Sequence, residues 1–169
     1  MTKTLSALGV LALLAAASPA PAGPITDGGV TAAEVAAVLQ AKGYQAEITK
    51  DDGGDPLIHS GADASKFSVL FYGCNAGRCS SIQFSTAFHI EGGLTLTRIN
   101  TWNSDKRFGQ GFLDKTNDPF IQMDLDVEHG YSTEAIANNL DTWVAVLHQF
   151  KIFIACTGKP TPDCPAAAP

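Results

Sequence analysis

Pro119-Phe120-Ile121-Gln122-Met123-Asp124-Leu125-Asp126-Val127-Glu128 is the stretch that decides the fold. Ile121, Met123, Leu125 and Val127 fall on one side of an extended segment, and Gln122, Asp124 and Asp126 on the other. A period of two with one apolar and one polar face predicts an antiparallel strand that covers a core on one side only. Thr116-Asn117-Asp118 before it is turn chemistry, and Arg107 to Lys115 reads as the hairpin partner. Earlier in the chain, Lys66 to Gly73 and Cys79 to Ile90 are rich in aromatic and β-branched residues. In the second of these, Ile82, Phe84, Thr86, Phe88 and Ile90 line one face, opposite Gln83, Ser85 and His89. Tyr44 to Lys50 and Pro56 to Ser60 are two more strands, joined by the turn Asp51-Asp52-Gly53-Gly54-Asp55. Connections this short exclude crossovers, so the first four strands form an antiparallel meander.

Helices frame these strands. Thr31 is placed to cap a helix, Glu34 to close the capping box, and Val30 and Val35 to staple its entry. Val35, Val38 and Leu39 mark its apolar face, and Gly43 suits a left-handed end. After Glu91-Gly92-Gly93 the period becomes helical again, with Thr95 as cap and Leu96, Ile99 and Trp102 on one stripe. Ser132 caps a third helix whose apolar face comprises Ile136, Leu140, Trp143, Val144, Leu147 and Phe150, continuing weakly through Ile154. The order α-β-β-β-β-α-β-β-α, with helices packed on an antiparallel sheet, predicts an α+β fold.

The ends read differently from the middle. Lys3 precedes Leu5 to Ala17, in which 11 of 13 residues are apolar, and Ala20-Pro21-Ala22 fits a small-x-small cleavage site. This is the order of a secretory signal peptide over 1–22, too short to span a membrane. Removal of 22 of the 169 residues leaves 147, starting at Gly23, and changes the net charge from −6 to −7. That balance argues against a phosphate-backbone binder such as a nucleic-acid protein. Residues 23–29 read as a linker, 30–155 as the one domain and 156–169 as a Pro/Ala-rich tail. The expected location is the periplasm or the exterior, with no membrane span after cleavage.

Export also bears on Cys74, Cys79, Cys156 and Cys164, an even number in an oxidising compartment. Three connectivities exist. Cys74–Cys79 and Cys156–Cys164 are favoured because each closes a short local loop, the first around Asn75-Ala76-Gly77-Arg78. In the loop-entropy model, bridges this short stabilise by about 2–2.5 kcal/mol each. The spacings C-x4-C and C-x7-C do not suit zinc, and no C-x-x-C redox motif occurs.

No residue set supports catalysis, so neither an enzyme nor a cofactor is expected. His59, His89, His129 and His148 are scattered, and G-x-S-x-G, H-E-x-x-H and P-loop patterns are missing. Asp51, Asp52 and Asp55 lack EF-hand spacing and read as a solvated turn, so no metal is expected. The candidate binding patch is Trp102-Asn103-Ser104-Asp105-Lys106-Arg107-Phe108, with Trp102, Asn103, Lys106, Arg107 and Phe108 as its contact residues. Trp and Arg dominate protein-binding hot spots, since each buries much area while keeping a polar handle. The competing reading makes Trp102 core and Asn103 a helix-end cap. It pairs Lys106 and Arg107 with Asp114 or Asp118. A carrier or enzyme with a small-molecule pocket between helices and sheet is the alternative function.

Several motifs carry a family likeness: Ile99-Asn100-x-Trp102-Asn103-x-x-Lys106-Arg107-Phe108, Leu113-Asp114, Asp118-Pro119-Phe120, Leu39-x-x-x-Gly43-Tyr44 and Phe67-x-Val69-x-Phe71. Through them the chain resembles, from about Val30 to Phe150, the YbjN family of bacterial proteins labelled sensory transduction regulators. The resemblance implies a fold similar to that of type III secretion chaperones. It further implies a non-catalytic role in handling a protein or peptide partner, with pairing of two copies as a further expectation.

Overall fold

The structure is a computed structural model that describes residues 28–129 and 131–156. Each of its three helices starts where a hydroxyl can satisfy a free backbone N–H. In α1 (Ala32–Ala41), Thr31 Oγ1 accepts from Glu34 N–H at 3.2 Å, and Thr31 N–H donates to Glu34 Oε2 at 2.7 Å. The predicted capping box is therefore formed, and Val30 and Val35 are both fully buried. Thr95 caps α2 (Leu96–Asp105) through Arg98 N–H, and Ser132 caps α3 (Thr133–Ala155) through Ala135 N–H.

Six strands make a single antiparallel sheet. They are β1 (Glu47–Lys50), β2 (Pro56–Ala62), β3 (Ser65–Asn75), β4 (Arg78–Ala87), β5 (Gln110–Leu113) and β6 (Pro119–Asp126), in the spatial order β1-β2-β3-β4-β6-β5. The meander and the later hairpin merge because β6, not β5, pairs with β4. Tight turns set the registers. Ala76 and Gly77, with φ of 49° and 83°, form a two-residue loop between Asn75 and Arg78, so the loop is two residues shorter than the sequence suggests. Primed turns of this kind match the twist of the flanking strands. Cys74 then lies directly opposite Cys79, and the two form a disulfide with Cα atoms 3.9 Å apart. The other predicted pair includes Cys164, outside the described residues, as are the leader and residues 157–169.

One face of the sheet is apolar. The register aligns Ile58, Val69, Phe84 and Met123 across β2, β3, β4 and β6, with Phe71, Ile82 and Leu125 in a parallel row. Trp143 of α3 covers them, stacked on Phe84 at 5.7 Å and edge-on to Phe67 at 5.8 Å. Burying a large apolar side chain contributes about 1.5–3 kcal/mol, so this cluster outweighs any single polar contact in the fold. α1 packs beside α3 over β1 and β2. Two expectations are corrected. Leu96 is 69 % exposed, because as the first helical residue it lies outside the stripe. Leu94, before the cap, and Ile99 are buried instead, at the two positions of a hydrophobic staple. On α3, Val146 rather than Val144 completes the fully buried face.

No helix among the described residues packs on the opposite face, which carries a polar row. Glu47, His59, Ser68, Ser85, Gln122 and Gln110 are register partners in succession across all six strands.

The lead-in to α1 is tied to the sheet. Val30 and Cys79 exchange backbone hydrogen bonds at 2.9 and 2.8 Å, and Gly28 N–H donates to Glu128 O at 3.1 Å. Arg78 donates to Gly29 O and pairs with Glu34 at 3.2 Å. Gly29 has φ +90°, and a Cβ there would run into the Cys79 carbonyl, so only glycine fits. Partial burial pushes the Glu34 carboxyl up, but the Thr31 hydrogen bonds and the Arg78 charge hold it below its ordinary value.

Candidate functional site

The corner between α2 and β5 begins with Trp102, which is 1 % exposed. Its ring meets Phe150 at 4.9 Å and Phe153 at 5.4 Å, and its indole N–H donates to Gly109 O at 2.8 Å. Gly109 has φ +77°, and a Cβ there would collide with Val146 and crowd Ile121, so the indole's acceptor is a position that only glycine can occupy. Trp102 therefore anchors the corner from within and offers no surface to a partner.

Asn103 follows it with a different job. Its side-chain amide donates to Gly111 O at 2.9 Å and accepts from Gly111 N–H at 2.8 Å. One side chain thus satisfies both outward backbone groups of Gly111 in the edge strand β5, as a neighbouring strand would. The reading of Asn103 as a helix-end cap is replaced by this strand mimicry. It also blocks the β5 edge against further pairing at Gly111.

Lys106, Arg107 and Phe108 are exposed. Lys106 Nζ lies 5.6 Å from the centre of the Trp102 ring and donates to Gln149 Oε1 at 3.2 Å. The Arg107 guanidinium sits 5.0 Å from the centre of the Phe108 ring, itself 47 % exposed. Neither cation forms an ion pair with Asp114 or Asp118 among the described residues. Both carboxylates are committed elsewhere. Asp114 accepts from Thr116 and from Asp118 N–H within its own turn, and Asp118 accepts from His89 Nδ1 at 2.9 Å and Ile90 N–H at 3.0 Å. Asn103, Lys106, Arg107 and Phe108 line an open groove of about 440 Å³ together with Gly109 and Gln110 and with Gln122, Met123 and Asp124 of β6. Four of the five predicted contact residues thus share one groove. Gln110 and Gln122 carried no distinguishing signal in the sequence, since only strand pairing brings them there.

Arg98 was also silent in the sequence. Its guanidinium stacks 3.9 Å from the centre of the Phe153 ring and donates to Phe153 O at 2.7 Å and Cys156 O at 2.8 Å. It satisfies the carbonyls at the end of α3 from a neighbouring helix, with favourable charge at the negative helix terminus.

Other polar clusters have local structural uses. Asp51 Oδ1 accepts from Gly53 N–H at 2.9 Å and Asp55 N–H at 3.0 Å, closing the β1–β2 turn. Asp63 accepts from His148 and Lys151, fastening the β2–β3 turn to α3, and these bonds hold its carboxyl below the ordinary value. The Asp118 hydrogen bond and charge push the His89 imidazole up, and the same bond pulls Asp118 down. His59 Nδ1 and Ser68 Oγ are 3.4 Å apart in an open depression of about 880 Å³ on the polar face. On the same face, Asp124 accepts from Gln83 at 2.7 Å.

The family model described as "Putative bacterial sensory transduction regulator", YbjN, matches residues 31–153. The chain belongs to the YbjN family. Its description names regulation and no reaction. No curated protein and no solved structure matches the chain. The YbjN match runs from the cap of α1 to the last turns of α3, so it takes in every strand and the whole corner between α2 and β5. No helix among the described residues of this YbjN chain is long and apolar enough to cross a membrane.

Proposed function

We propose that this protein is an exported, non-enzymatic binding module of the bacterial cell envelope, taking a protein or peptide segment in the groove between α2 and β6. One observation carries this reading: an exposed aromatic, Phe108, with the Arg107 guanidinium 5.0 Å from its ring centre, lines a groove together with the polar strand residues Gln122 and Asp124. A groove with an aromatic–guanidinium anchor on one side and hydrogen-bonding side chains on the other suits an extended segment with an apolar and an acidic residue close together. The family's regulatory description is consistent with such a role. A catalytic or carrier role finds less support, because the space between helices and sheet is filled by Trp102, Trp143, Phe84 and Phe150.

An array of extended peptides screened with the purified domain tests the groove. Arg107→Ala and Phe108→Ala should each weaken the selected peptides about tenfold, with unchanged thermal unfolding. Retained affinity in both variants refutes the groove. Export is tested by the intact mass of the envelope-localised protein, which should correspond to a chain starting at Gly23; a full-length mass there defeats cleavage.

A further inference from the structure

Three stretches of chain meet at Cys79. From Ser81 to Ala87, β4 has β3 on one side and β6 on the other, but at Cys79 the place of β6 is taken by Val30. Cys79 N–H donates to Val30 O at 2.8 Å, and Val30 N–H donates to Cys79 O at 2.9 Å. Both backbone groups of Cys79 thus face the lead-in and away from β3, and its link to Cys74 on β3 is the disulfide. Arg78, the preceding residue, donates to Gly29 O and pairs with Glu34, whose carboxylate also closes the α1 capping box. The hairpin tip, the lead-in and the first turn of α1 are therefore bonded to one another through Arg78 and Cys79. The tip itself is not at ease, because Ala76 holds φ 49°, a left-handed conformation that a Cβ disfavours. The two sulfurs also differ in access: Cys79 is fully buried and Cys74 half-buried.

We propose that the Cys74–Cys79 disulfide is a thiol-operated latch. Closed, it holds the hairpin tip, the lead-in and the first turn of α1 as one unit; reduced, it lets that unit open while the rest of the sheet stays folded. With the cross-link in place, β3 and β4 cannot part at the tip, and Cys79 is kept in position to hold Val30. Without it, the strained turn separates and takes the partner of Val30 with it. Opening is a thiol–disulfide exchange. The thiolate of an external dithiol bonds to the Cys74 sulfur, the S–S bond breaks, and its electron pair leaves on Cys79, which takes up a proton in its apolar surroundings. The second thiolate of the dithiol then displaces Cys74, so the protein gains two thiols and the dithiol becomes a disulfide. Closure is the reverse, against a disulfide oxidant. The latch lies beyond the binding role of the groove, and its use rests on the export proposed above: the start of the chain stays loose while reduced and closes in an oxidising compartment.

Native-state hydrogen exchange on the purified chain reads the latch. On reduction with a phosphine, the amides of Val30 and Cys79 should exchange at least about tenfold faster, and those of Leu140 and Leu147 in α3 by a smaller factor. Cys74→Ala combined with Cys79→Ala should reproduce the reduced pattern while leaving the cysteines at the other end of the chain as they are. Unchanged exchange at Val30 and Cys79 overturns the proposal. So does an equal factor at all four amides, since the cross-link would then act only through the fully unfolded chain. Access is read with oxidised glutathione. Cys79→Ala should form a mixed disulfide at Cys74 in the folded protein, whereas in Cys74→Ala the Cys79 thiol should stay unmodified until denaturant is added. Rapid modification of Cys79 overturns Cys74 as the point of attack. A full-length mass in the envelope would defeat export and leave these readings unchanged, because they are made on the purified chain.

Discussion

His89 shows how little of a side chain's role its position in a pattern conveys. It lies on the polar side of its segment and is 84 % exposed, as an ordinary surface histidine would be. Its imidazole nevertheless sits 2.9 Å from Asp118, a residue that also takes the Ile90 N–H and so fastens the end of β4 to the β5–β6 turn. The hydrogen bond raises the histidine and lowers the aspartate. The raised group adds stability that is complete below about pH 6.5, its unfolded value, and fades as pH rises through the folded pKa. The lowered group adds stability that is complete above about pH 4 and fades as pH falls through its folded pKa. The pair is therefore strongest between about pH 4 and 6.5. Titration of the ring proton resonances should place His89 above the ordinary imidazole value, and Asp118→Asn should return it there. An unshifted His89 in the parent protein would contradict the contact. Trp102 shows the same limit in the other direction. Its residue type suits a hot spot, but the end of α3 and Gly109 enclose it, and neither neighbour is near it in sequence beyond the glycine.

At the scale of elements, the three helix starts were legible because capping is local: Thr31, Thr95 and Ser132 each act within three residues of themselves. The strands were legible as alternations, while their ends were not, because a strand stops where its neighbour stops. β5 shrinks from a nine-residue expectation to Gln110–Leu113 for this reason, with Pro119 opposite Leu113 as its last partner. Asn103 holds that short strand to α2. Replacing it by leucine removes two hydrogen bonds and leaves the buried Gly111 N–H and C=O without partners, so Asn103→Leu should cost about 2–3 kcal/mol in urea unfolding. Asn103→Asp keeps the acceptor for Gly111 N–H but offers no donor to its carbonyl, and should fall between parent and leucine variant. A loss below about 0.5 kcal/mol in the leucine variant would show that the edge is held by something else.

For the molecule as a whole, stability gathers where α3 crosses the sheet. Phe67, Phe84 and Trp143 form one cluster that joins β3, β4 and α3, and Trp102 meets the same helix further along at Phe150. Truncating the centre of it, Phe84→Ala, should cost about 3–5 kcal/mol. Because both tryptophans belong to this core, their fluorescence and the far-ultraviolet circular dichroism should lose structure in one coincident transition; separate midpoints would mean that the corner by α2 melts independently. By itself the sequence determined the α+β class, the order of elements, the caps and most of the inward-facing residues, all of which depend on neighbours within a few positions or on a simple period. The tertiary structure alone decided that β6 returns to pair with β4, and that Trp102 is core while Asn103 stands in for a strand. The β4–β6 pairing and the burial of Trp102 against Phe150 depend on contacts between residues more than thirty positions apart, and Asn103 reaches Gly111 only because the chain turns back at Gly109; neither leaves a periodic trace in a single chain.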